Sequence, residues 1–174
     1  MHTLHVRSCV STMDEARAHW LEKGPLSSSW LLVRADEQTC GRGTWGRPWS
    51  SPKGNLYLTL SGRCDQSPQD LPQEVSNAIQ EMLKARGLDV QRRGLNDLTI
   101  HGKKLCGALV EHWMCQGLSM ISIGVGLNVA MAPDVPEQLT TCLVDWGWNE
   151  SLDRTAELVT ESLLQMLQRR TLYA

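Results

Sequence analysis

The chain has 174 residues, enough for one domain with its own apolar core and too few for two of ordinary size. Its 17 Lys and Arg against 19 Asp and Glu leave a net charge of -2, so it has no overall basic field and nucleic acid is not expected as a partner. Apolar residues at 41% and charged residues at 21% exclude the disordered and fibrous classes.

Residues 1–10 include His2, His5 and Arg7 and lack a sustained apolar stretch, so neither a signal peptide nor a membrane anchor is legible and the cytoplasm is the expected compartment. Residues 11–23 read as a capped amphipathic helix: Ser11 and Thr12 precede Ala16, Trp20 and Leu21 at helical spacing, and Gly24-Pro25 closes it. Residues 30–34 form an apolar strand leading into a polar, glycine-rich loop, residues 36–54, long enough to be a binding loop that orders around a ligand. Residues 55–60 alternate polar with apolar, the pattern of a half-buried strand. A second helix begins near Pro72, sets Val75, Ile79, Met82 and Leu83 on one face, and stops at Gly87.

Strands follow at residues 98–100 and 104–113, joined by His101-Gly102-Lys103, and another at 118–129 after Cys115-Gln116-Gly117. The most apolar run, residues 120–132, is interrupted by Gly124, Gly126 and Asn128 and is too short to span a bilayer. The closing helix, from Ser151 or Asp153 to Arg169, aligns Leu152, Ala156, Val159, Leu163 and Leu167. The expectation is one α+β domain over residues 1–174, with a mixed, mostly antiparallel sheet and flanking helices. The six cysteines are scattered and read as reduced, mostly buried thiols, and no metal-ligand spacing occurs.

Three stretches hold chemistry-bearing residues. In the first, Gly41-Arg42-Gly43-Thr44-Trp45-Gly46-Arg47-Pro48-Trp49, close glycines let backbone N–H groups approach an anion and Arg42 and Arg47 suit its oxygens; the same spacing also fits a solvated loop. The stretch is neither a P-loop nor a dinucleotide fingerprint. In the second, Asn96-Asp97 precedes Lys103-Lys104-Leu105-Cys106-Gly107, where Lys104 reads either as an ammonium neutralising an acyl phosphate or as a solvated hairpin lysine. The third, Gly124-Val125-Gly126-Leu127-Asn128-Val129, sets an asparagine in apolar surroundings, equally a structural residue and a ligand contact. The histidines are dispersed and no nucleophilic triad is supported.

Taken in order, these stretches, with Ser11-Thr12-Met13, Ala35-Asp36-Glu37-Gln38-Thr39, Ser50-Ser51-Pro52, Gly54-Asn55-Leu56-Tyr57 and Val110-Glu111, resemble the catalytic domain of biotin–protein ligases, within the biotin/lipoate ligase group. The resemblance implies a class II synthetase-like fold. It also implies a two-step reaction in which biotin and Mg-ATP give biotinyl-5'-adenylate and the acyl group passes to a lysine of a biotin carboxyl carrier domain. It places Ser11, Thr12, Met13, Gln38, Gly41, Arg42, Gly43, Thr44, Lys104 and Gly107 around biotin and its acyl phosphate. Arg47, Trp49, Asn96, Asp97 and Asn128 would serve ATP and its magnesium, with Lys104 and Arg42 the catalytic cations.

Three features depart from the family pattern. Thr44 stands where a basic residue is common, which implies looser retention of the adenylate; Arg93-Gly94-Leu95 stands in place of Lys-Trp-Pro; and neither a preceding DNA-binding domain nor a following small β domain is expected, so no repressor role is. Alternatives are a lipoate or octanoate ligase or transferase, and a catalytically weak homologue that binds a small acid. Exposed sheet edges allow a homodimer.

Overall fold

The computed structural model describes residues 1–25, 30–64 and 69–172. Its elements run β1 (His2–Cys9), α1 (Thr12–Lys23), β2 (Leu31–Gln38), β3 (Leu56–Arg63), α2 (Leu71–Lys84), β4 (Gln91–Arg93), β5 (Asp97–Ile100), β6 (Lys103–Cys115), β7 (Leu118–Leu127) and α3 (Leu152–Leu172), with 3-10 turns at Thr44–Gly46 and Val144–Trp146. The strands form one seven-stranded sheet in the order β1-β2-β3-β7-β6-β5-β4. Strand β1 runs parallel to β2 and the remaining pairs are antiparallel, so the sheet is mixed and mostly antiparallel, with helices on both faces.

Period-two alternation assigns the faces. Leu56, Leu58 and Leu60 of β3 and Ile121, Ile123, Val125 and Leu127 of β7 turn to one side, where Val75, Ile79 and Leu83 of α2 and Val159 and Leu163 of α3 complete the main core. On the opposite side Ala16 and Trp20 of α1 pack with Val33, Trp113 and Met120 in a smaller core. Buried Trp20 and Trp113 place their indole N–H groups on Ser61 and Ser122, which are 2.9 Å apart and bridge β3 to β7. Helix α1 covers only part of its face. Beyond its N-terminus the sheet presents Gly124, Gly126 and Gly107, and a cleft opens there.

Several sequence expectations need correction. Strands β1 and β4 were not anticipated, because neither shows an apolar face: β1 buries only Cys9, and Gln91, Arg92 and Arg93 of β4 are all exposed. Residues 36–38, expected in the glycine-rich loop, continue β2, which starts at Leu31 rather than Trp30. Leu21, assigned to the packed face of the first helix, is 60% exposed. The two-residue turns His101-Gly102 and Gln116-Gly117 are left-handed at both positions, the geometry that suits a hairpin's twist. Among the described residues no helix is long and apolar enough to cross a membrane.

Candidate functional site

The cleft has a volume of about 730 Å³ and lies between the N-terminus of α1, the segment 42–50, and the open ends of β5, β6 and β7. Its floor follows from cross-strand register. Gly124 pairs with Thr59 and Leu109, and Gly126 with Tyr57 and Gly107, so the cleft-facing row of β7 and the adjoining end of β6 carry no side chains. Two side chains take the vacated space. A Cβ at Gly124 would meet the sulfur of Met13 at 2.9 Å, and one at Gly126 would meet the Trp49 indole at 2.4 Å. The Trp49 Nε1–H is buried there without a hydrogen-bond partner.

One end of the cleft is built from neutral polar groups. Ser11 caps α1, its hydroxyl accepting from the Met13 N–H, so the helix starts at the cleft and turns its partial positive end toward it. The Thr12 N–H and hydroxyl both donate to Gln38 Oε1, at 2.9 and 3.2 Å. Gln38 Nε2 donates to Ser51 Oγ at 2.9 Å, and Ser51 donates on to the Trp49 carbonyl. Thr59, fully buried beneath, donates to Thr12 Oγ1 at 2.8 Å. Gly41 does not reach the cleft surface; it sits behind it, where a Cβ would lie 2.5 Å from Ser51 Oγ, and its absence of a side chain lets the loop close on Gln38 and Ser51.

The other end is cationic, and a bulge aims its lysine. Thr99 pairs with Lys104 but Leu98 with Cys106, leaving Leu105 as an extra residue in β6. Strict alternation back from Gly107 would turn Lys104 to the main core. The extra residue instead buries both Leu105 and Cys106 and releases Lys104 to the cleft. Its Nζ lies 3.0 Å from Asp97 Oδ2 and 5.1 Å from the centre of the Trp49 ring, with the side chain 15% exposed. Asp97 also faces Arg93 at 3.6 Å. Burial, reinforced by the Asp97 charge and opposed by Lys104, pushes the Cys106 thiol up to about 12, so this neighbour is a neutral packing group.

Arg42 projects from the loop between two carboxylates: its NH1 is 2.8 Å from Asp14, and its Nε and NH2 are 3.2 and 3.4 Å from Glu111. Burial opposes its charge, but the hydrogen bonds and attraction of Glu111 and Asp14 outweigh that and raise the guanidinium above its already high value. Arg42 thereby fastens the loop to α1 and β6. Gly43 N–H donates to the Arg47 carbonyl and Trp49 N–H to that of Gly41, making a hairpin whose tip, Trp45, has φ of +61° and is 93% exposed.

Gly43, Thr44, Arg47 and Asn96 line the cleft, and the Asn96 amide donates to the Ala108 carbonyl. Asn128 is almost fully buried; its Nδ2 donates to the carbonyls of Thr141 and Lys104 and its Oδ1 has no partner. Of the fifteen residues singled out in the sequence, only Gly41 is absent from the lining; Gly124 and Gly126, which line it, and Asp14, Ser51, Thr59 and Glu111, which hold lining residues from behind, were not singled out as site residues. Among the described residues, no group of three or more His, Cys, Asp or Glu side chains is gathered to hold a metal. The arrangement pairs a closed hydrogen-bonding set with a fixed ammonium, which suits an uncharged polar head at one end and an activated carboxyl or phosphate at the other.

A sequence model of the biotin/lipoate A/B protein ligase family matches residues 8–128. The chain is 36% identical over 170 residues to the bifunctional ligase/repressor BirA of Bacillus subtilis, covering 92% of this chain and 51% of that protein. It is 34% identical over 126 residues to the biotin–[acetyl-CoA-carboxylase] ligase of Paracoccus denitrificans, covering 68% of this chain and 52% of that one. It thus spans about half the length of the curated relatives it matches. Among solved structures, the biotin protein ligase of Leishmania major in complex with biotinyl-5-AMP superposes with a TM-score of 0.81 at 27% identity, over 97% of this chain and 75% of that one.

Proposed function

The chain belongs to the biotin/lipoate A/B protein ligase family, and on that premise we propose that it performs the catalytic work of a biotin–protein ligase. In the first step a carboxylate oxygen of biotin attacks the α-phosphorus of ATP, the bond to pyrophosphate breaks, and biotinyl-5'-adenylate stays in the cleft. In the second, the neutral amine of a lysine on a biotin carboxyl carrier domain attacks the acyl carbon, the amine loses a proton, and AMP leaves. The observation that carries this reading is the cleft itself, with the Thr12–Gln38–Ser51 set at one end and Lys104 at the other.

The neutral end suits the ureido ring of biotin, which needs hydrogen-bonding partners, while Leu109 and Met13 offer apolar wall to its tail. Lys104, held by Asp97, steadies negative charge that grows on the α-phosphate oxygens and again on the departing AMP. Magnesium accompanies ATP in such reactions and usually takes one or two protein oxygens besides phosphate; the Asp97 carboxylate and the unpartnered Asn128 Oδ1 fit that need, and the ion would shield phosphate charge. Thr44 brings no charge to the cleft, which supports weaker retention of the adenylate than a basic residue would give. No protein nucleophile is required, in keeping with the neutral Cys106 thiol.

The test is pyrophosphate release from ATP with biotin, lipoate or octanoate as the acid. Release with biotin alone, cut about 10²–10³-fold by Lys104→Ala, is the expected result, the size typical of losing one preorganised charge-stabilising group. Release that prefers lipoate or octanoate, or none with any acid, would overturn it.

A further inference from the structure

We propose that Thr59, which lies beneath the cleft and is not part of its lining, is a positioning residue that sets selectivity for an N–H/C=O edge in the ligand, acting through the Thr12 hydroxyl. The inference rests on the biotin reading for its ligand and on the hydrogen-bond directions for its logic.

Those directions are fixed by one backbone donor. The Thr12 N–H points at Gln38 Oε1, and a backbone N–H demands an acceptor, so the Gln38 amide cannot be turned the other way round. Oε1 also receives the Thr12 hydroxyl and, being only an acceptor, forces Thr12 to donate. The Thr12 proton is therefore committed. Thr59 must then be the donor in its 2.8 Å contact with Thr12, as both groups are buried and Thr12 has no second proton to give. The chain of protons runs one way, from Thr59 to Thr12 to Gln38, and from Gln38 through Ser51 to the Trp49 carbonyl.

Two valences are left to face the cleft: one lone pair on Thr12 Oγ1 and the second proton on Gln38 Nε2. Both lone pairs of Gln38 Oε1 are used by Thr12. An acceptor beside a donor complements an N–H beside a carbonyl, the edge of a cyclic urea, and offers nothing to a dithiolane or an alkyl chain. Gln38 sets the direction of the Thr12 proton, and Thr59, by donating to one Thr12 lone pair, holds the hydroxyl oxygen in place with a single lone pair left for the ligand. Beside Gly124 across β3 and β7, Thr59 is fully buried and lies outside the lining, out of a ligand's direct reach.

The experiment compares Thr59→Val, which keeps the shape and deletes the donor, with Thr59→Ser, which keeps the donor. Both are measured as the full chain in biotin-dependent pyrophosphate release. The expected result for Thr59→Val is a KM for biotin raised about tenfold, with kcat and the KM for ATP within twofold of the parent; Thr59→Ser should match the parent within twofold. In a double-mutant cycle, Thr59→Val should add nothing to Thr12→Val, because its effect passes through Thr12. A KM for biotin unchanged in Thr59→Val, Ser no better than Val, or effects that multiply in the double variant would overturn the proposal. Thr59→Ala replaces Val should Val not fold, with the same outcomes expected. Failure of the parent chain to release pyrophosphate with biotin would sink the ligase reading instead, and is read from the same assay before any variant is compared.

Discussion

At the scale of single residues, the floor of the cleft depends on what is missing from it. Gly126 has an ordinary backbone conformation, so an alanine there meets no torsional strain; its methyl would meet the Trp49 indole at 2.4 Å. Gly126→Ala should therefore lift Trp49 off the sheet, costing about 1–3 kcal/mol by overpacking and cutting pyrophosphate release at least tenfold. Thermal unfolding and the release assay check both parts. Adding Trp49→Ala should recover the stability without the activity, and a double variant no more stable than Gly126→Ala would show that the clash is not the cause. By residue type alone Arg42 and Lys104 read equally as solvated side chains; they and Gln38 were legible as site residues through the resemblance that the ordered motifs carry. Thr59, Ser51 and Glu111 were not, because their meaning comes from partners: Thr59 acts on a residue 47 positions away, and Arg42 finds Glu111 at a separation of 69. Nothing local in β3 says that its odd positions lie on the α1 side of the sheet, where Thr59 meets Thr12. The bulge at Leu105 was equally hidden, and it alone decides which way Lys104 points.

At the scale of elements, α1 joins fold to site through its first turn. Ser11 both caps the helix and lines the cleft, with 1% of its surface exposed. Ser11→Ala should cost about 1 kcal/mol from the lost cap, lowering Tm by roughly 2–4 °C for a chain of this size, and should weaken biotin binding as the Thr12–Gln38 contacts loosen. Calorimetry in unfolding and in binding modes reads the two effects; a lowered Tm with binding unchanged would separate the cap from the site. This helix, α2 and α3, and the hairpins at His101-Gly102 and Gln116-Gly117 follow signals that act within a few residues: a capping serine, periodic apolar positions, glycines tolerant of left-handed turns. Strand β1 has no such signal. Its membership in the sheet comes from backbone pairing with β2 along an edge, and a mostly exposed edge strand needs no apolar pattern. The polar end of β2 was hidden for the same reason, since Asp36 and Gln38 extend it beside β1 while belonging by composition to the loop.

At the scale of the whole molecule, buried thiols set a limit on the alkaline side. Burial, helped by Glu15 and Asp14, raises Cys9 to about 11, and Cys106 stands at about 12, against an ordinary value of 9.0 for both. Between pH 9 and these values the unfolded chain has released protons that the folded chain retains, so the difference in bound protons is negative and stability falls as pH rises. Urea midpoints should decline from pH 9 to 11 more steeply in the parent than in a Cys9→Ser/Cys106→Ala variant compared with its own value at pH 8. Equal slopes would place the alkaline loss on other groups.

The β3–β7 seam has a kinetic side as well. The β6–β7 hairpin closes over two residues, and β1, α1 and β2 lie within the first 38, so both halves draw on contacts near in sequence. Their union is the expensive event: Ser61 meets Ser122 across 61 positions, with α2 and three strands held in the intervening loop. Met13, Thr12 and Thr59 come from one side of that seam and Gly124, Gly126 and Lys104 from the other. The cleft thus has no existence in either half alone and comes into being only when β3 and β7 pair, so that ligand capture serves as a readout of that long-range union.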